Sequence, residues 1–151
     1  MKHMLTTLKK YTIQSHPTGI KTERLINSDT VNSLIRKIYE EDNADINVCE
    51  YFYAMFLNKN NNIVGYAKIA QGGIDSVNVD VRILVKYAIE TLSAAVIVAH
   101  NHPSGSIKVS NPDKGITRNI KEDLRMFNIS LLDHVILTDT EYISMSDEGL
   151  I

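Results

Sequence analysis

Residues 94–113, AAVIVAHNHPSGSIKVSNPD, constrain this chain more than any other stretch. They open with a continuous apolar run, 94–99, long enough for a strand buried on both faces. The run ends in His100-Asn101-His102. Side chains two apart on a strand point to the same side, so both imidazoles face one point. Pro103, Ser104 and Gly105 then break the strand and turn the chain. Seven residues separate His102 from Ser110, and two more separate Ser110 from Asp113. Two histidines at a strand end, followed by a hydroxyl and a carboxylate at a helix start, make a three-ligand site for a divalent metal. Such a site leaves a fourth position open to water.

The donor inventory narrows the metal chemistry. Cys49 is the only cysteine, which excludes an internal disulfide and a Cys-rich zinc site. Any metal must be held by histidine and carboxylate, here His100, His102 and Asp113. Zinc suits such donors, and water in its fourth position is acidified towards a pKa of about 7. A nearby carboxylate can then carry the proton to a leaving amine, and Ser110 can donate to the oxyanion formed at a carbonyl. A plainer reading stands beside this one. Ser110-Asn111-Pro112-Asp113 is also a good helix start, with Ser110 or Asn111 as cap, Pro112 in the first turn and Asp113 near the positive dipole end. The two readings are compatible, because capping also fixes where the Asp113 carboxylate points.

The rest of the chain supplies a frame for that stretch. Ser28 or Asp29 can cap a helix to about residue 41, with Val31, Leu34, Ile35 and Ile38 on one face. Residues 48–57 read as a mostly buried strand, 58–62 (NKNNN) as a polar turn, and 63–70 as the return strand of a hairpin. Asp80 starts a second helix to about residue 91, with Val81, Leu84, Val85, Ala88, Ile89 and Leu92 as a wide apolar stripe. A third helix runs over about 112–127, with Ile116, Ile120, Leu124 and Phe127 facing the core. Strands follow at 129–137 and 141–145. Before all of these, Tyr11-Thr12-Ile13 reads as a short strand and His16-Pro17-Thr18-Gly19 as a turn. The fold class is α/β or α+β, with helices packed on a mixed sheet.

Composition excludes more than it selects. A chain of 151 residues suits one domain with a sizeable core and a short extension. The formal charge of −2 makes no electrostatic case for nucleic acid. No apolar run reaches the length of a membrane helix, and the opening residues lack the apolar centre of a secretory signal. A cytoplasmic protein is the expectation, with no membrane partner.

The pattern His-x-His, seven residues, Ser, two residues, Asp resembles the JAMM (MPN+, or JAB) metallopeptidase signature, and His100, His102, Ser110 and Asp113 match it position by position. The strings HNHPSG and LLDHVIL (131–137) are similar to the RadC-like branch of that family. The resemblance covers roughly residues 30–151 and leaves 1–29 as an N-terminal extension. It implies a cytidine-deaminase-like three-layer sandwich, a mixed central sheet flanked by helices. It implies zinc on His100, His102 and Asp113, oxyanion assistance from Ser110, and an upstream acid/base at the position of Glu50. Glu50 also stands out as a charge in an otherwise apolar strand, where burial without a partner is costly. Longer RadC-like proteins carry helix-hairpin-helix character before this domain. Residues 1–29 show no such motif, so direct DNA binding is not expected.

The leading expectation is a zinc-dependent metallopeptidase or isopeptidase acting on a peptide or protein. A second reading is an accessory protein of DNA repair or mobile elements with a structural metal. Nuclease chemistry is a third, poorly supported by the literal string His100-Asn101-His102. A deaminase is disfavoured because no His-x-Glu or Pro-Cys-x-x-Cys is present. His134 reads as a packed or hydrogen-bonded histidine and not a fourth ligand. Cys49 reads as a buried structural thiol. His3 and His16 have no spaced partner and read as solvated. Lys108, Lys114 and Arg118 surround the loop and read as solvated surface, with steering of an acidic substrate as the alternative, and Glu90 and Glu122 read as weaker acid/base candidates.

Overall fold

The computed structural model describes residues 9–22, 24–25, 27–72 and 78–151. Its elements run α1 (Ser28–Glu41), β1 (Tyr51–Leu57), β2 (Ile63–Gln71), α2 (Val81–Glu90), β3 (Ala95–Asn101), α3 (Asn111–Arg125), β4 (Ser130–Leu137) and β5 (Tyr142–Ser144). The strands form one mixed sheet in the order β2-β1-β3-β4-β5. β3 lies in the middle, antiparallel to β1 and parallel to β4. This is the α/β sandwich that the apolar run at 94–99 demands. All seven residues of β3 are buried, so the strand needs cover on both faces.

Strand alternation sorts the side chains into two cores. Tyr51, Tyr53, Met55, Ala95, Ile97 and Ala99 pack against Leu34, Ile35 and Ile38 of α1. Phe52, Ala54, Phe56, Val96 and Val98 pack against Leu84 and Ala88 of α2 and Ile120 and Leu124 of α3. α1 therefore covers one face, and α2 with α3 covers the other. Among the described residues, no helix is long and apolar enough to cross a membrane.

Several expectations need correction. The cap of α1 is Asn27, whose side chain accepts from the Thr30 N–H at 3.0 Å, and not Ser28 or Asp29. β1 begins at Tyr51 and not at residue 48, because Val48 is 58% exposed and has no core to enter. The stripe on α2 is narrower than its periodicity suggests. Only Leu84 and Ala88 are buried in the helix, while Ile89 and Leu92 are exposed and Leu92 sits beyond the helix at φ +51°. Phe127 is likewise exposed, since α3 ends at Arg125 before its periodicity reaches that residue. Tyr11-Thr12-Ile13 forms no strand; Tyr11 is 85% exposed and no described strand pairs with it.

Candidate metal centre

β3 delivers His100 as its last-but-one residue and releases His102 one residue past its end. His100 falls on the α2/α3 face by the same parity as Val96 and Val98. The following turn closes with Gly105 at φ +77°, its N–H bonded to the His102 carbonyl at 3.0 Å. Glycine adopts that left-handed backbone without a Cβ penalty. The turn brings the Ser106 carbonyl back to within 2.7 Å of His102 Nδ1.

Asp113 arrives from the other direction, on the first turn of α3. Ser110 caps this helix, accepting the Asp113 N–H on its Oγ at 3.1 Å. In return, Asp113 Oδ2 accepts from the Ser110 backbone N–H at 2.7 Å and from its hydroxyl at 2.6 Å. This capping box fixes the carboxylate so that Oδ2 is occupied and Oδ1 faces the histidines. Asp113 Oδ1 lies 3.1 Å from His100 Nε2, and Oδ2 lies 3.6 Å from His102 Nε2. The two Nε2 atoms are 2.9 Å apart.

Counting protons shows what those nitrogens present. The Ser106 carbonyl can only accept, so His102 Nδ1 donates to it and a neutral His102 has a bare lone pair at Nε2. One assignment gives the single Thr117 hydroxyl proton to the Asp113 carbonyl at 2.6 Å. Towards His134 Nδ1, also at 2.6 Å, that oxygen can then only accept. In that assignment His134 is protonated at Nδ1, and its Nε2 accepts from His100 Nδ1 at 2.7 Å. Neutral His100 is thereby also bare at Nε2.

In that assignment two lone pairs and a carboxylate oxygen face one another across about 3 Å, an arrangement that a cation or a proton among them would stabilise. The same field acts on protons. The hydrogen bond to Asp113 pushes His102 up, overcoming the opposing effect of burial. Burial by itself would raise Asp113, but hydrogen bonds from His100, His102 and Ser110 hold its carboxyl far below the usual range. The three ligand atoms lie within 4.8 Å of one another, the reach of a single ion. A tetrahedral ion bonded at roughly 2.0–2.2 Å spaces its ligands by roughly 3.3–3.6 Å. The donor set and its spacing fit a divalent metal.

The centre opens into a cleft of about 780 Å³, whose lining includes Glu50, Ser110, Lys108, Val79, Val109 and Ile116. Glu50 precedes β1 and does not lie within the strand, yet its backbone is pinned. Its carbonyl accepts from the Gly72 N–H at 2.8 Å. Asn101 binds the groups on either side, donating to the Cys49 carbonyl at 2.9 Å and accepting from the Tyr51 N–H at 2.8 Å. Continued strand parity puts residue 50 on the side of Phe52, which stacks on His100 with ring centroids 5.9 Å apart. β1 and β3 are neighbours, so Glu50 and His100 share one end of the sheet.

The other candidates separate from the centre. His134 is wholly buried, outside the three-residue ligand group, and burial next to His100 pushes its pKa well below the ordinary value. Cys49 is half-buried and not enclosed as expected; the Gln71 amide approaches its Sγ at 3.7 Å. Asp80 caps α2 and pairs with exposed Arg82 at 2.6 Å. Lys108 is exposed, as its surface reading expects, and also lines the mouth of the cleft. Lys114, Arg118, Glu90, Glu122 and His16 are exposed, and His3 lies outside the described residues. Motif spacing missed Thr117 and Asn101. A threonine four residues after Asp113 was the available signal for the first, because that spacing returns it to the same helix face.

A family model described as the RadC-like JAB domain matches residues 26–150. A UPF0758 protein of Flavobacterium johnsoniae is 41% identical over 101 residues, covering 67% of this chain and 44% of the relative. One from Saccharophagus degradans is 41% identical over 102 residues, covering 68% and 46%. One from Cellvibrio japonicus is 42% identical over 100 residues, covering 66% and 45%. The matched region spans less than half the length of these curated relatives. With the His-His-Asp group, the mixed sheet and a match across 26–150, the chain belongs to the RadC-like JAB domain family.

Proposed function

We propose that this chain is a zinc-dependent hydrolase of peptide or isopeptide bonds. The supporting observation is the convergence of His100 Nε2, His102 Nε2 and Asp113 Oδ1 in a cleft that Glu50 also lines. Those three atoms would hold the ion. When bound, it supplies Lewis acidity, bringing water towards a pKa of about 7 and polarising a carbonyl. Glu50 takes the proton from the attacking water and delivers it to the departing amine. Ser110 serves in two stages. Its backbone N–H holds Asp113 throughout, whereas its hydroxyl proton is committed to Asp113 Oδ2 and must be redirected before it can stabilise an oxyanion. The walls formed by Val79, Val109 and Ile116 accept apolar parts of an extended chain, with Lys108 as a cation beside them.

The test starts with elemental analysis after purification without chelator or affinity metal. About one zinc per chain in wild type, lost in Asp113→Ala, is the expected result. Glu50→Gln should then keep zinc and lose turnover of fluorogenic isopeptide substrates. A wild-type protein that stays metal-free when zinc is supplied overturns the hydrolase reading and favours an accessory protein. Its partners would then be sought by pull-down.

A further inference from the structure

His134 and Thr117 take no part in the chemistry above, yet they form the most completely buried polar chain in the site. Both are buried, at 0% and 2% exposure. The chain starts at the carbonyl of one ligand, Asp113, passes through the Thr117 hydroxyl and the His134 ring, and ends at the ring of another ligand, His100. Each link measures 2.6–2.7 Å. A register shift between Val96 and Ile97 makes this possible. Leu131 pairs with Val96, Asp133 with Ile97 and His134 with Val98, leaving Leu132 extra. Without the extra residue, His134 would pair with Ala99 and face α1. With it, His134 shares the face of Val98 and His100.

We infer that His134 and Thr117 are positioning residues of the metal centre: the relay locks His100 in its Nδ1–H tautomer, with the Nε2 lone pair turned to the metal. This rests on the metal reading above. The single Thr117 proton sets the direction. Given to Asp113, it leaves Thr117 only able to accept, which makes His134 a donor at Nδ1 and an acceptor at Nε2. Both His134 nitrogens are thereby used, so it is not a fourth ligand. A metal-ligating histidine ordinarily donates its other N–H to a carboxylate, carbonyl or water. Here a second imidazole takes that place, and Phe52 packs against both rings, with centroids 5.9 Å and 5.5 Å away. Removing Thr117 frees His134 to adopt Nε2–H, which would force His100 into the tautomer that cannot ligate at Nε2.

The test compares wild type with Thr117→Val, Thr117→Ser, His134→Phe and His134→Gln in the full chain. Zinc affinity is measured by competition with a chromogenic chelator, and the His100 tautomer by long-range ¹H–¹⁵N NMR of metal-free protein. Thr117→Val and His134→Phe should weaken zinc about 10- to 100-fold. Thr117→Ser keeps the hydroxyl and His134→Gln keeps an acceptor at similar reach, so both should stay within about threefold. His100 should be Nδ1–H in wild type and a mixture or Nε2–H in Thr117→Val. Wild-type zinc affinity and an unchanged tautomer in folded Thr117→Val overturn the relay. A wild-type protein with His100 in the Nδ1–H form but no zinc affinity overturns the metal reading instead, so the two failures are distinct. Should His134→Phe not fold, the near-isosteric Thr117→Val decides.

Discussion

His100 and Asn101 are consecutive residues of β3, equally buried, and they look into opposite kinds of polar surroundings. Asn101 faces α1. Its amide donates to the carbonyls of Ile46 and Cys49 at 2.8 and 2.9 Å, and its oxygen accepts from the Tyr39 hydroxyl at 2.9 Å and the Tyr51 N–H at 2.8 Å. All four hydrogen-bonding positions of the amide are filled. His100 faces α2 and α3, where its Nδ1 meets His134 and its Nε2 faces the His102 Nε2 and a carboxylate. Buried polar groups therefore occur on both sides of this sheet, and burial does not tell structure from function. Matching does. Donor meets acceptor around Asn101 and the group is structural; around His100 two ring nitrogens and a carboxylate crowd within about 3 Å, a set that could hold a metal ion.

If that distinction holds, stability and metal binding should respond in opposite order on the two faces. Asn101→Leu removes four buried hydrogen bonds and orphans their partners, a loss of about 3–5 kcal/mol. Thermal denaturation should show a melting temperature lower by roughly 10 °C. Asp113→Asn should abolish zinc binding while costing the metal-free fold no more than about 1–2 kcal/mol. Elemental analysis and denaturation in chelator measure both, and an Asp113→Asn loss as large as that of Asn101→Leu would erase the difference between the faces. Ser110→Ala deletes the cap of α3 at a cost of about 1 kcal/mol. It should also weaken zinc modestly, since Asp113 keeps the backbone N–H that orients it.

The smallest effect belongs to the α1 side. Burial, then the hydrogen bond to Asp42 and its charge, push the half-buried Tyr66 up to about 12. The folded state thus holds this proton more tightly than the unfolded chain does. The stabilisation is complete below pH ~10 and fades as pH rises towards 12. Tyr66→Phe should flatten the alkaline limb of a stability–pH curve slightly and leave zinc affinity unchanged. A steeper limb in the variant would contradict the assignment.

Much of the site was legible because it depends on short-range geometry. Strand alternation places His100 and His102 together, and the Ser110–Asp113 spacing makes a capping box whatever the helix packs against. The apolar faces of α1 and α3 were readable for the same reason, at Leu34, Ile35, Ile38, Ile120 and Leu124. Periodicity failed where a helix stopped sooner than its pattern, at Leu92 and Phe127, because apolar spacing says nothing about how far the sheet extends beneath. Glu50 was readable as an odd charge, but spacing alone does not show that β1 lies beside β3.

By itself, the amino-acid sequence determined the candidate donor set, the shared face of the two histidines, the orientation of Asp113 and the need for a sheet covered on both sides. Each follows from contacts between residues a few positions apart. Only the tertiary structure decided that Leu132 is extra in β4, that His134 turns to the face of His100, and that Thr117 meets it there. Register between strands distant in sequence is chosen by packing on both faces at once, and a one-residue slip reverses every side chain beyond it.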